Sequence, residues 1–410
     1  MTTRIHWAWV ILTASFITVF VNYSIRLGYG ILMPEMIVSL KITKAQAGAI
    51  ASSFYLSYTI FSPLLGFLTD RLNARKLIVL FSFILGVGTF LMSKPASLPQ
   101  TCLFFAIVGV GSAAMWTPVV TLAQRWFGVN RRGMALGILS IGYTIGYGIM
   151  GLALPPLVVR YDWRTCWLIL SLLAFALVPL NGLLLRAKPQ DLNLRPWGEQ
   201  PGLLPGTHLA EAKARIRYRE LLKLPNLWVV ATSYLFIAFS AYVINTFIVT
   251  YGTMELGFPY AQSAKLASAI AFSGIAGALI IPILSDFLGR KKCLIMINAC
   301  LVLSALFIIY AGNNWLTLLL AVSFFGIFYA AAWPMYAAAA ADFFPRQVTG
   351  SVLGFWTIFY GIGLILAPTL GGYIADVTGT FIWSFFMAAI AGGLGTFFSS
   401  RIKRSGEGEG

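Results

Sequence analysis

Long apolar runs, separated by short polar segments, recur along the whole chain. Many of these runs reach ~20 residues, the length that an α-helix needs to cross ~30 Å of hydrocarbon. Runs of alternating apolar and polar residues, which would indicate an outer-membrane barrel, do not occur. The pattern therefore predicts an all-α membrane protein with twelve transmembrane helices. The predicted spans are residues 7–34, 45–69, 76–93, 98–123, 133–160, 164–186, 226–252, 263–285, 292–311, 314–340, 350–373 and 380–400.

One polar segment is much longer than the other connections and separates six spans from six. The short connections elsewhere suit antiparallel neighbouring helices. We expect an N-terminal six-helix bundle in residues 1–186, a linker in 187–225, a C-terminal six-helix bundle in 226–400 and a tail in 401–410. The first span begins directly after Met1–His6 without a small-residue cleavage site, so it is expected to be an uncleaved helix and not a signal peptide.

The composition supports a membrane protein and gives the basic residues a role. Apolar residues make up 59% of the chain and charged residues 10%, and a soluble protein of this length would need far more polar surface. The net charge of +16 could suggest nucleic acid, but basic residues in short loops also set membrane topology. With the N-terminus inside, 22 of the 29 Lys and Arg residues fall on the inner side and six outside. We therefore expect no nucleic acid, a lipid bilayer as surroundings, the plasma (cell inner) membrane as location, and cytoplasmic termini and linker.

Enzymatic and metal chemistry have no pattern to support them. The four cysteines are scattered in apolar segments and form no Cys-x-x-Cys motif, so neither disulfides nor a metal site is expected. No zinc-binding His-Glu-x-x-His motif, nucleophile elbow or Walker loop appears. The sequence predicts a protein that is not an enzyme and has no cofactor, and we expect it to be a monomer.

A polar loop motif follows the second predicted span and returns in altered form after the eighth. The first copy reads Gly-x-x-x-Asp-Arg-x-x-x-Arg-Lys from Gly66, and the second starts with Pro282 in place of that Gly. On these residues the chain resembles the major facilitator superfamily over its whole length. Two parallel six-helix repeats imply two bundles related by a pseudo-two-fold axis along the membrane normal.

The charged residues of this motif are expected to form a conformational latch, as the resemblance implies. A carboxylate just past a helix end can pair with Arg in one state of the protein and release it in another. The alternative is that these residues only set the topology. The predicted latch residues are Asp70, Arg71, Arg75, Asp286 and Arg290.

Arg26 lies well inside the first predicted span. A cation there costs ~2.5–3.5 kcal/mol on insertion scales, and such residues usually face a water-filled cavity. Glu35, the nearest acidic residue along the chain, is nine residues away on a different helical face. We therefore expect an anionic substrate to supply the negative charge, since a guanidinium binds carboxylate or phosphate with two hydrogen bonds. The alternative is that Arg26 snorkels to the outer headgroups.

The segment from Tyr23 to Pro34 resembles the first helix of organophosphate and organic-anion transporters of this superfamily, in which the Arg binds the substrate anion. Organophosphate antiporters carry a second Arg in helix seven, where this chain has Asn245. One Arg neutralises a phosphate dianion poorly, so we expect a singly charged substrate such as a small carboxylate. Each candidate aromatic residue could instead be packing. The predicted substrate-binding residues are Arg26, Asn22, Tyr143, Asn245, Tyr242, Tyr147, Tyr336 and Trp356.

These observations predict an alternating-access secondary transporter for a small organic anion. Both histidines lie outside the spans and no span carries a well-buried acid, so the proton is expected to travel with the carboxylate in electroneutral symport. Uniport and anion exchange remain open. A sugar or drug carrier of the same superfamily is a second possibility, and a sensor or assembly factor without transport activity is a third.

Overall fold

The computed structural model describes residues 6–199, 221–344 and 348–402, apart from the side chains of Phe67, Asp70 and Val129. Thirteen α-helices occupy these ranges. They are α1 (Trp7–Leu40), α2 (Lys44–Arg71), α3 (Ala74–Leu91), α4 (Leu98–Ser112), α5 (Thr117–Arg125), α6 (Arg132–Arg160), α7 (Trp163–Leu184), α8 (Pro225–Thr250), α9 (Tyr260–Leu288), α10 (Arg290–Ala311), α11 (Trp315–Phe343), α12 (Thr349–Thr378) and α13 (Ile382–Ser400). Because α4 and α5 together form one apolar segment, Leu98–Arg125, the described helices make twelve long segments, and the all-α prediction is confirmed.

Eleven of these segments have the length and hydropathy of a membrane span over their described residues. The remaining one, α2, has 28 residues and is long enough, and Ser and Thr occupy several of its positions. Two of its serines donate to backbone carbonyls of α4, Ser53 to Cys102 O at 2.8 Å and Ser57 to Ala106 O at 2.7 Å. A hydroxyl that is bonded in this way is tolerated in an apolar interior, so α2 can pack among the other helices of its repeat.

The chain divides into two compact units. Unit 1 comprises Met1–Ile42 and Ser53–Leu204, and unit 2 comprises Thr43–Ser52 and Pro205–Gly410. The first turns of α2 therefore group with unit 2, although the rest of α2 belongs to unit 1. The expected start of the linker at residue 187 falls within unit 1, and residues 200–220 of the expected linker lie outside the described ranges.

The same helix pairings recur inside each unit. In unit 1, α1 packs on α6 and α7, and α3 packs on α4 and α7. In unit 2, α8 packs on α12 and α13, and α10 packs on α11 and α13. Helices α8, α10, α12 and α13 are the counterparts of α1, α3, α6 and α7 in the second six-helix repeat. The internal repeat that the loop motif indicates is thus present in the packing of the helices.

The first residues after α7 are attached to unit 1. The backbone of Trp197 donates to Trp126 O at 2.8 Å, and its carbonyl accepts from Gly128 N at 3.0 Å. The Trp197 ring lies 5.1 Å from the ring of Trp9 and 5.8 Å from that of Phe127. We call these three side chains the Trp197 cluster. It fixes the start of the linker against the loop between α5 and α6.

Candidate functional site

Arg26 lies in the interior of unit 1 and not at the end of its helix. It is residue 20 of the 34 in α1, roughly 20 Å from the C-terminal end at 1.5 Å per residue. Only 6% of the residue is exposed. A side chain that snorkelled to lipid headgroups would be exposed at the surface, so the snorkelling alternative is wrong.

Four aromatic rings surround the Arg26 guanidinium. Its Cζ atom lies 5.4 Å from the ring centroid of Tyr23, 5.7 Å from Phe54, 5.3 Å from Tyr55 and 4.8 Å from Tyr58. A desolvated cation–π contact contributes up to about 2 kcal/mol, so the rings offset much of the cost of burying the charge. We call Arg26 and these four rings the Arg26 cluster.

The Arg26 cluster is built from neighbouring faces of α1 and α2. Phe54 and Tyr58 are one turn apart on α2 and their rings stack at 6.1 Å. Phe54 was not among the residues predicted from sequence, because an apolar ring in an apolar span gives no signal of a neighbouring cation. Tyr23 extends the cluster to α6, since its ring lies 4.4 Å from that of Tyr143. Tyr147 is buried one turn further along α6.

Asn22 lies one helical turn before Arg26, on the same face of α1. It is 1% exposed, and its Oδ1 atom accepts no hydrogen bond from the described residues. A buried polar atom that lacks a partner costs about 1–3 kcal/mol. The buried oxygen makes Asn22 a candidate for ligand contact, and it shares this feature with other buried side-chain atoms, among them Ser15 Oγ and Asn298 Oδ1.

Unit 2 carries Asn245 and Tyr242 in the segment that corresponds to the Arg26 segment of α1. Asn245 is 5% exposed, and its Oδ1 atom likewise accepts no hydrogen bond among the described residues. The ring of Tyr242 lies 5.9 Å from that of Tyr329 and 6.2 Å from that of Tyr360. Sequence reasoning missed these last two tyrosines, since their helices, α11 and α12, meet α8 only in the folded unit.

Tyr336 is part of a polar network inside unit 2. It is fully buried, and its hydroxyl lies 2.6 Å from Ser233 Oγ and 3.2 Å from Asn298 Nδ2, which donates to it. Asn298 Nδ2 also donates to Ser399 Oγ at 3.2 Å. These bonds join α8, α10, α11 and α13, so Tyr336 has a structural role that does not need a substrate.

Trp356 is similarly accounted for by packing. It is fully buried, its Nε1 donates to Leu227 O at 2.9 Å, and its ring meets that of Phe344 at 5.7 Å. The substrate-binding role of Tyr336 and Trp356 stays a prediction.

The first copy of the predicted latch borders a cavity of about 410 Å³ in unit 1. Arg71 and Arg125 line it, together with Lys188 and Asp191 from the segment after α7. Arg75 donates to the carbonyl of Gly182 at the end of α7. The side chain of Asp70, on which this prediction centres, lies outside the described part of the chain.

The second copy forms ion pairs in unit 2. Arg290 contacts Asp286 at 2.6 Å and Asp342 at 2.8 Å. The two carboxylate side chains are 60% and 48% exposed, and an exposed pair contributes only about 0–1 kcal/mol. Sequence reasoning missed Asp342, because it lies 52 residues further along the chain at the end of α11. The latch itself stays a prediction.

The match to known families covers nearly the whole chain. Residues 15–312 and 265–407 match the family model of the Major Facilitator Superfamily. The chain belongs to this family. It is therefore an integral membrane transporter and not an enzyme. Within the described ranges, no group of three or more His, Cys, Asp or Glu side chains could hold a metal ion.

Several known members resemble this chain over almost their full length. It is 24% identical to the hexuronate transporter of Bacillus subtilis, over 94% of this chain and 91% of that protein. It is 25% identical to the membrane sensor protein UhpC of Salmonella typhimurium, over 92% and 87%. Among solved structures, a bacterial homologue of the human lysosomal transporter Spinster superposes with a TM-score of 0.78 at 16% identity, covering 97% of this chain and 98% of that one. This last likeness supports the fold.

Proposed function

We propose that this protein moves a small organic anion, a carboxylate, across the cell inner membrane by alternating access, and that Arg26 binds the anionic group. The observation that carries the proposal is the burial of the guanidinium in the interior of unit 1, with aromatic rings around it. Buried charges in membrane proteins are retained chiefly where they serve a substrate or ion pathway. The B. subtilis relative is named for hexuronate, a carboxylate.

The chemistry of the Arg26 cluster suits a carboxylate of single charge. The planar guanidinium offers parallel N–H donors that match the two oxygens of a carboxylate. Aromatic faces hold the plane of the guanidinium in place, which an ammonium on a flexible stem would not exploit as well. One buried cation balances one negative charge, so a dianion would be left with uncompensated charge.

The experiment is uptake and binding of a carboxylate panel by purified protein in proteoliposomes. We expect Arg26→Ala to weaken binding of every carboxylate by ~10–150-fold, because hydrogen bonds to a charged group contribute ~1.5–3 kcal/mol. Arg26→Lys keeps the positive charge but loses the two parallel N–H donors, so it should retain only part of the wild-type affinity. Arg160→Ala, at an exposed arginine at the end of α6, is the matched control and should leave binding unchanged. Near-normal carboxylate uptake by Arg26→Ala would refute the proposal and favour a sugar or drug carrier.

Coupling to protons is part of the same proposal. The sequence has no well-buried acid within a span, so the proton would enter with the carboxylate and transport would be electroneutral. A pH gradient with the acidic side outside should then accelerate uptake, and uptake should not generate a membrane potential. Uptake that ignores the pH gradient would contradict proton coupling and favour uniport or exchange. We further expect a monomer with both termini in the cytoplasm.

A sensor is the second candidate, because one relative of similar length is named a membrane sensor protein. The two functions differ in one measurement. A sensor would bind the carboxylate in detergent but would not accumulate it in proteoliposomes, whereas a transporter would do both.

A further inference from the structure

The face of α1 that carries Arg26 also carries a buried amide oxygen. Asn22 and Arg26 are four residues apart, which places their side chains next to each other on the helix surface. The Oδ1 atom of Asn22 is buried and accepts no hydrogen bond from any described residue. Any account of Asn22 must name a group that donates to this oxygen.

An anionic group bound to Arg26 cannot be that donor. An ionised carboxylate has acceptor atoms only, and an amide oxygen is also an acceptor. Placing the two together without a hydrogen between them would be repulsive. A hydroxyl group has a proton to donate and accepts at the same time. A ligand whose carboxyl is ionised when Arg26 binds it therefore needs a second group that donates, and a hydroxyl is such a group.

The helix spacing limits where that hydroxyl can be. Side chains four residues apart on a helix have Cβ atoms ~5–6 Å apart. A hydroxyl on the second or third carbon from the carboxylate carbon lies within a comparable distance. We propose that the substrate is a hydroxy acid, with a hydroxyl close to its carboxylate, and that Asn22 selects it by accepting a hydrogen bond. This inference rests on the function proposed above, in which Arg26 binds the carboxylate.

The second unit gives independent support. Asn245 stands three residues after Tyr242, as Arg26 stands three residues after Tyr23. Its Oδ1 atom is also buried without a hydrogen-bond partner among the described residues. Each such atom costs about 1–3 kcal/mol. The same feature thus occurs in the equivalent helix, at the position that corresponds to Arg26, and it also occurs at other buried atoms such as Asn298 Oδ1.

The test uses pairs of acids that differ only in hydroxyl groups. 3-Hydroxybutyrate is paired with butyrate, and 4-hydroxypentanoate with pentanoate. Affinities are measured by calorimetry on the purified wild type, Asn22→Leu and Arg26→Ala. We expect the wild type to bind the hydroxylated member of at least one pair ~10-fold or more tightly. In Asn22→Leu, affinity for the hydroxylated acid should fall to that of the plain acid, which should itself be unchanged.

The outcomes separate this inference from the proposed function. Equal binding of both members of both pairs by the wild type, with both weakened in Arg26→Ala, overturns the hydroxy-acid inference and leaves the anion site standing. Equal weakening of both members in Asn22→Leu shows a structural role and also overturns it. If Arg26→Ala weakens neither acid, or if the wild type binds no carboxylate of the panel, both proposals fail. Should Asn22→Leu not fold, Asn22→Ala makes the same comparison.

Discussion

The crossing of α1 and α6 in unit 1 allows a sharp test of the packing that holds Arg26 in place. Gly146 of α6 lies so close to α1 that a Cβ atom there would be 2.6 Å from the carbonyl oxygen of Phe20. Ordinary van der Waals contact begins at 3.4 Å. The change Gly146→Ala would therefore force the two helices apart by about 0.8 Å. Phe20 is less than two helical turns before Arg26, so the displacement falls on the segment that presents the guanidinium.

The magnitude follows from a matched pair of substitutions on one helix. Gly137, also on α6, has open space around it, with nothing within 4 Å of where a Cβ atom would lie. Both Gly→Ala changes gain ~1 kcal/mol of helix propensity. Only Gly146→Ala also overpacks the contact between α1 and α6, which costs ~1–3 kcal/mol of stability. It also weakens the bond from Ser24 Oγ to Gly146 O, 3.2 Å long. Gly146→Ala should thus be less stable than Gly137→Ala by ~1–3 kcal/mol.

The assay is thermal unfolding of the two variants in the same detergent at one scan rate, because irreversible unfolding makes the apparent Tm depend on scan rate. We expect Gly137→Ala to unfold at or slightly above the wild-type temperature and Gly146→Ala several degrees below it. Carboxylate binding should weaken only in Gly146→Ala. Equal unfolding temperatures for the two variants would show that the α1–α6 contact yields easily, and the argument that it positions Arg26 would be wrong.

Two further predictions concern the ends of helices in unit 1. The backbone N–H of Thr165 donates to Asp162 and lowers the pKa of that carboxyl below its usual value. A depressed folded-state pKa stabilises the protein above the unfolded pKa, so Asp162→Ala should cost ~1 kcal/mol at neutral pH. The cost should shrink as the pH falls through the folded pKa, because the neutral carboxyl keeps only a neutral hydrogen bond. Asp162→Asn keeps a capping oxygen but does not titrate, so it is the control. A difference in stability between Asp162→Ala and wild type that stays constant from neutral to acid pH would contradict this prediction. Trp197→Ala should detach the segment after α7 and speed cleavage by endoproteinase Glu-C after the exposed Glu199, whereas Trp197→Phe should not. Equal cleavage rates in both variants would show that the Trp197 cluster does not hold the segment.

The length and hydropathy of the apolar runs were enough to predict the helices but not their ends. The first span was predicted to stop at Pro34, yet α1 continues to Leu40 and ends where Lys41 adopts a positive φ of 52°. A single Pro removes one hydrogen bond from a helix, and the buried surroundings of α1 keep the helix continuous. The fourth span was predicted as continuous, but α4 ends at Ser112 and α5 starts at Thr117. Pro118 in the first turn of α5 is consistent with a new start there, and the sequence alone did not reveal the interruption.

Residues whose surroundings are set by their own helix were easier to predict than those set by other helices. Asn22 and Arg26 share a face of α1, so their proximity follows from spacing. Phe54 and Asp342 could not be predicted, because the first reaches Arg26 from α2 and the second reaches Arg290 from α11. A tertiary contact between an apolar ring and a cation, or between charges 52 residues apart, leaves no periodic mark in the sequence.

Thr18 and Asn22 lie one turn apart on α1 and differ in how their buried polar groups are hydrogen-bonded. Thr18 donates to Asn181 Oδ1 at 2.9 Å, and Asn181 Nδ2 donates to Ser82 Oγ at 3.2 Å, which joins α1, α7 and α3. One turn later on the same face, the Asn22 Oδ1 atom accepts no hydrogen bond among the described residues. An apolar side chain of similar volume at this position would avoid that cost. The contrast between Thr18 and Asn22 adds to the argument for a ligand at Asn22, and Ser15 Oγ, which is buried on the same helix without a hydrogen-bond partner among the described residues, shows that the contrast needs the binding test to decide it.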